Sequence, residues 1–137
     1  REPALEGGAM HTIEHLCATF LRNSAQREDI IYFGPMGCRT GFYLVMFGNL
    51  QPEDVLPLVK AAFEFTAGFE GEIPGASQTE CGNYLYHNLP MAKFYSRKYL
   101  DDLEKYKSFN IIIYDYNGIY NLFWYIYILN PCNCSSK

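Results

Sequence analysis

The chain has 137 residues, 15 acidic and 11 basic side chains, a formal net charge of -4 and 49% hydrophobic residues. That is the length of one domain, able to bury roughly two thirds of the surface its unfolded chain exposes. With no run of Lys or Arg it offers no electrostatic footprint for nucleic acid or an anionic membrane.

In chain order, the text opens on Arg1-Glu2-Pro3 rather than methionine and reads as the interior of a longer chain, N-terminally truncated. Gly7-Gly8 reads as a break in the entry loop. A helix is predicted from about Ala9 to Asn23, with Ile13, Leu16, Cys17, Phe20 and Leu21 as its apolar stripe. Within it, His11 and His15 stand four positions apart and project from one face, which is the spacing of a pair of metal ligands. Glu14 borders that face and could move protons without binding the ion. Hydrogen bonding of the two rings to backbone is the other way to satisfy them.

After the polar turn Gln26-Arg27-Glu28-Asp29, Ile30 to Phe33 reads as a short strand ended by Gly34-Pro35. Met36 to Gly41 is a glycine-flanked loop carrying Cys38, and Phe42 to Gly48 is a second strand. Pro52-Glu53-Asp54 starts a helix that runs to about Ala67, with Val55, Leu58, Val59, Ala62 and Phe63 on its apolar side. Residues 68–79 form a loop, Glu80-Cys81-Gly82 follows, and His87 falls in a polar connection that predicts a solvated ring. A third helix is expected from about Met91 to Tyr106, with Phe94, Tyr95, Tyr99 and Leu103 as its apolar positions. The order predicts an α+β two-layer sandwich, an antiparallel sheet packed against helices.

From about Ser108 the composition changes to Ile, Tyr, Asn, Phe and Leu, a seam that divides a domain at 1–107 from an atypical tail at 108–137. Asp115, Asn117, Gly118 and Asn121 break this run as a membrane span. It reads as disordered or as translated out of frame, which sequencing the gene for a base shift near Lys107 would decide. The five cysteines are an odd number in no disulfide-framework spacing, which predicts a reducing cytoplasm. Cys17 reads as core, and Cys132 and Cys134 as tail residues without a metal role.

Three stretches, His11-Thr12-Ile13-Glu14-His15, Pro35-Met36-Gly37-Cys38-Arg39-Thr40-Gly41-Phe42-Tyr43 and Glu80-Cys81-Gly82, together resemble the S-ribosylhomocysteine lyase (LuxS) family from about Glu2 to Lys107. The resemblance implies a metal held by His11, His15 and Cys81, with Glu14 and Cys38 as the acid/base residues. It favours Fe(II), with Zn or Co as substitutes and no organic cofactor. It implies cleavage of S-ribosyl-L-homocysteine to L-homocysteine and 4,5-dihydroxy-2,3-pentanedione by carbonyl migration and β-elimination, and a cytoplasmic homodimer with interfacial active sites. The product would serve quorum-sensing signalling, the homocysteine a methionine-cycle salvage. Two imidazoles and one thiolate leave a fourth coordination position open, as a catalytic site requires. Arg39 and the backbone around Gly37 are candidates for stabilising a Cys38 thiolate and binding substrate.

Two other readings compete. His-x-x-Glu-His is also the signature of inverted zincins, in which Glu14 would activate a zinc-bound water and a downstream carboxylate, here Glu80, would be the third ligand. A non-catalytic module would hold a structural ion with a fourth protein ligand and leave Cys38 as core.

Overall fold

A computed structural model describes residues 4–105, and the seam and tail lie outside them. Helix α1 (Gly7–Arg22) leads through one turn of 3₁₀ helix (Arg27–Asp29) to strands β1 (Ile30–Pro35) and β2 (Phe42–Met46), then α2 (Pro52–Gly68) and α3 (Leu89–Lys105). The two strands pair antiparallel with Phe33 opposite Leu44 and Pro35 opposite Phe42, and an irregularity falls between Ile30 and Tyr32. The expected α+β architecture is present, with α1 packed against α2, α3 and β1. No helix among the described residues is long and apolar enough to cross a membrane.

The apolar stripes meet in one core. Ile13, Cys17 and Leu21 of α1 share one buried cluster with Val55, Val59, Ala62 and Phe63 of α2, and Leu16 is buried as well. Phe33 stacks on Phe42 with centroids 5.2 Å apart, and Phe63 tilts onto Tyr99 of α3 at 4.6 Å. Burial pushes the Cys17 thiol up to about 12 and Thr66 Oγ1 lies 3.4 Å from it, so Cys17 is the core residue expected. Phe94, by contrast, points outward at 54% exposure.

The first turn of α1 departs from expectation. Gly7 and Gly8 do not break the chain before the helix; they begin it, capped by Glu6, whose carboxylate accepts from the Gly8 and Ala9 amides at 2.8 Å each. The Gly8 amide is the chief reason that the Glu6 carboxyl lies below its ordinary range. Their lack of a side chain serves close approach: a Cβ on Gly7 would meet Tyr86 Oη at 2.7 Å, and one on Gly8 would meet Asn88 Cβ at 3.4 Å. The chain just before α3 therefore lies directly on the start of α1.

Helix α3 begins at Leu89, two residues before the expected Met91, because Pro90 occupies its first turn, where a missing amide costs nothing. Asn88 Oδ1 accepts from the Met91 amide, and its own amide donates to Thr12 Oγ1 at 3.0 Å. At the end of α2, Arg97 donates to the Ala67 carbonyl at 3.0 Å and Lys93 to the Phe69 carbonyl at 2.8 Å. Residues 69–88 are thus anchored at both ends and folded back against α1.

Candidate metal centre

One helical turn brings His11 and His15 together with Nε2 atoms 3.1 Å apart, and the returning loop sets Cys81 Sγ 3.3 Å from His11 Nε2. The three donor atoms lie within 4.8 Å of one another, each on a half-buried residue. Donors around a tetrahedral ion with ordinary N and S bond lengths sit roughly 3.3 to 3.6 Å apart, close to the 3.1 and 3.3 Å that His11 Nε2 keeps from its two neighbours.

Hydrogen bonding on the far side of each ring decides what faces inward. His11 Nδ1 lies 2.8 Å from the Tyr86 carbonyl and His15 Nδ1 2.8 Å from the Pro74 carbonyl. A carbonyl accepts and never donates, so each Nδ1 carries the hydrogen, and a ring in its neutral form then turns an Nε2 lone pair toward the other. Two lone pairs at 3.1 Å repel unless a cation stands between them. The donors present therefore fit a metal ion, and carbonyls that orient ligating histidines are the usual outer support of such a site.

The sequence builds this locally. The turn that carries Cys81 is closed by its amide and that of Glu80 on the Ser77 carbonyl, at 2.9 and 3.0 Å. Gly75, at φ +71, lets the chain pass under His15: a Cβ there would stand 3.3 Å from His15 Nδ1. The Ser77 hydroxyl donates to Glu80 Oε2 at 2.5 Å, which turns that carboxylate to its own loop. Glu80 is not in the cluster, so the carboxylate ligand that an inverted zincin needs is missing from it. No fourth protein donor joins the set among the described residues, as a closed structural site would require.

His87 corrects an expectation. Rather than standing in solvent, it stacks on His11 with centroids 4.1 Å apart and planes 14° apart, so all three histidines of the chain converge. Thr12 Oγ1 donates to the Gly8 carbonyl at 2.8 Å, which leaves its lone pairs to accept from the Asn88 amide and from His87 Nδ1 at 3.1 Å. His87 Nε2 is then a buried lone pair without a partner. Burial, then the nearby His11 and His15, pulls this ring's pKa down to about 4 and keeps it neutral.

Beside the cluster opens a cavity of about 310 Å³ whose wall includes His11, Glu14, Gly37, Arg39 and Tyr86. Glu14 and the hairpin loop between β1 and β2 thus share one space with a histidine of the cluster. The loop is tied to the start of α1 by the Leu5 amide, which donates to the Arg39 carbonyl at 2.9 Å. Cys38 stands exposed on it, between two of the lining residues. The hydroxyl and then the amide of Thr40 hold the Cys38 thiol below its ordinary range. A larger cavity of about 720 Å³ lies along residues 71–77 with Glu80, Tyr84 and His87. The smaller one adjoins both Glu14 and the Cys38 loop, although Cys38 itself is not part of its wall.

The chain is similar in sequence to known proteins. The family described as S-Ribosylhomocysteinase (LuxS) matches residues 1–110. An S-ribosylhomocysteine lyase of Finegoldia magna is 55% identical over 112 residues, covering 82% of this chain and 71% of its own. One of Phocaeicola vulgatus is 54% identical over 115 residues, covering 83% and 71%, and one of Clostridium beijerinckii 54% over 103 residues, covering 74% and 65%.

Proposed function

This chain belongs to the S-ribosylhomocysteinase (LuxS) family, and on that premise we propose how its residues divide the work of a carbon–sulfur lyase. The reaction is cleavage of S-ribosyl-L-homocysteine to L-homocysteine and 4,5-dihydroxy-2,3-pentanedione. The observation that carries the reading is the convergence of His11, His15 and Cys81 beside a cavity that Glu14 and the Cys38 loop share.

His11 and His15 through Nε2 and Cys81 through Sγ are the residues that would hold the ion. A soft thiolate with two imidazoles suits ferrous iron, with Zn or Co as substitutes. When bound, such an ion polarises a substrate carbonyl and makes the neighbouring C–H acidic. Glu14 and Cys38 then take and return protons on either side of the sugar, first in two aldose–ketose shifts that carry the keto group along the chain. Once that carbonyl lies β to the thioether carbon, removal of the proton between them drives the C–S electron pair onto sulfur. Homocysteine leaves as its thiolate and is protonated; the enol left behind rearranges to the dione. Every step is proton transfer or elimination, so no electron acceptor or organic cofactor is called for. Arg39 and the backbone at Gly37, which line the cavity, are placed to bind substrate oxygens.

We further infer a cytoplasmic homodimer with its sites near the subunit interface. Tyr32, Phe47, Leu85 and Tyr86 support this, large side chains 44–82% exposed on the hairpin and on the segment before α3.

The test is a thiol assay on the full chain loaded anaerobically with Fe(II) or Co(II): homocysteine should appear with S-ribosylhomocysteine as substrate. A loaded protein that releases no thiol, or one that cuts peptides instead, would overturn the reading.

A second expectation concerns Gly75. Alanine there adds a Cβ 3.3 Å from His15 Nδ1 and costs about 1 kcal/mol for holding a side chain at positive φ. Displacing a support of a ligating ring should weaken the metal about 10- to 100-fold while the fold survives. Competition with a chelator measures it, beside a circular dichroism spectrum.

A further inference from the structure

The hairpin loop makes one contact that the roles given so far leave unused. Thr40 Oγ1 lies 2.9 Å from Cys38 Sγ, and either atom can be the donor. The backbone between them is held in an unusual shape. Arg39 adopts φ 58, a left-handed conformation that residues bearing a Cβ seldom enter. Its amide donates to the Met36 carbonyl at 2.9 Å, its carbonyl accepts from the Leu5 amide at 2.9 Å, and the Met36 amide closes the loop on the Gly41 carbonyl at 2.9 Å. Strain of this kind persists where the surroundings over-determine it, and it collects at functional sites. Its result here is that Thr40 turns both its hydroxyl and its amide toward the sulfur two residues earlier.

We propose that Thr40 is a positioning residue whose hydroxyl keeps the Cys38 sulfur in one place through both protonation states. The proposal rests on the reading of Cys38 as an acid/base group. A hydroxyl offers one hydrogen and two lone pairs, so it is complementary to either form of the sulfur. Toward a thiol, S–H donates to Oγ1; toward a thiolate, O–H donates to Sγ. A cation such as Arg39 can favour the thiolate, but it has no lone pair to accept from the thiol. A proton carrier that must alternate through two isomerisations and an elimination needs a partner of the first kind, and a sulfur that does not move between steps avoids the rate loss that misplacement brings.

The pH dependence has several contributors. Facing the cavity are His11 and Glu14 from α1, Arg39 from the loop itself and Tyr86 from the segment before α3. Within that setting the Thr40 hydroxyl is the largest downward influence on the thiol and its amide the next.

The experiment follows alkylation of Cys38 by iodoacetamide against pH in the metal-loaded full chain, read by mass spectrometry of the peptide that contains it. In Thr40→Val, which keeps the shape and loses the hydroxyl, the midpoint should rise by about one pH unit, lowering the thiolate fraction at neutral pH up to about tenfold. Thr40→Ser should return the native profile. In turnover, kcat should fall in Thr40→Val and recover in Thr40→Ser while KM stays, since the contact is with the sulfur and not with substrate. Unchanged metal content certifies the fold; if valine fails that check, Thr40→Ala is read the same way. A native profile in the hydroxyl-free variant, or a serine variant shifted as far as valine, would overturn the proposal. Homocysteine release surviving in Cys38→Ala would instead overturn the acid/base reading while leaving the midpoint shift in place.

Discussion

Replacing Cys81 by alanine should strip the protein of its metal and of its activity together. The sulfur is one of three donors, and the other two come from a single helix face, so their spacing is fixed by α1 whether or not Cys81 is present. The loop supplies the third donor and with it the charge, since two neutral imidazoles carry none and the thiolate carries one. Without the sulfur, the Nε2 pair at 3.1 Å keeps two ligands and loses the anionic one. Loss of outer support alone costs 10- to 100-fold in such sites, so loss of a donor should exceed about 100-fold. Metal per chain, measured after exhaustive dialysis, should fall from near one to near zero, and thiol release should fall with it. Cys17→Ala, in a thiol buried in the core, is the control that should keep the metal. A Cys81→Ala protein that retained a full equivalent would remove position 81 from the ligand set.

The same substitution shows what the sequence could and could not disclose. His11 and His15 were legible because a four-residue interval on an apolar helix puts two side chains on one face. The amphipathic stripes of α1 and α2 were legible for the same reason: Ile13, Cys17 and Leu21 join the whole α2 stripe in the observed core, and Phe20 packs against it half-buried. The outer support was not. Tyr86 and Pro74 act through backbone carbonyls, which every residue has, so nothing in their side chains marks them. Gly7 and Gly8 read as a break because their reason lies far along the chain, in the approach of Tyr86 and Asn88. His87 offered one signal, being the third of just three histidines in the chain, and the loop around it hid its burial against His11. Thr40 left no mark either; its partner is two residues away, and the turn that joins them depends on Arg39 at positive φ, where glycine would be the ordinary choice.

Glu14→Gln and Cys38→Ala should both keep the metal and lose turnover, the opposite pattern to Cys81→Ala. Neither side chain belongs to the donor cluster: Glu14 stands in the cavity wall with His11, and Cys38 on the loop whose Gly37 and Arg39 line the same cavity. Glutamine preserves the size and hydrogen-bonding reach of Glu14 and removes its ability to take a proton. Alanine removes the Cys38 sulfur from an exposed loop, where no core packing depends on it. General acid/base groups contribute about 10²- to 10⁴-fold, and kcat should drop by that range in each variant with metal content near one. The double variant should fall by less than the product of the two, because both serve successive proton transfers on one substrate and removing either stalls the sequence. Isotope exchange separates the two carriers. In deuterated water, a protein lacking one of them should still exchange the carbon-bound hydrogen that the other removes, without releasing homocysteine. If instead both variants exchange and release thiol at the native rate, the protons are carried by other groups and the cavity wall is no more than a binding surface.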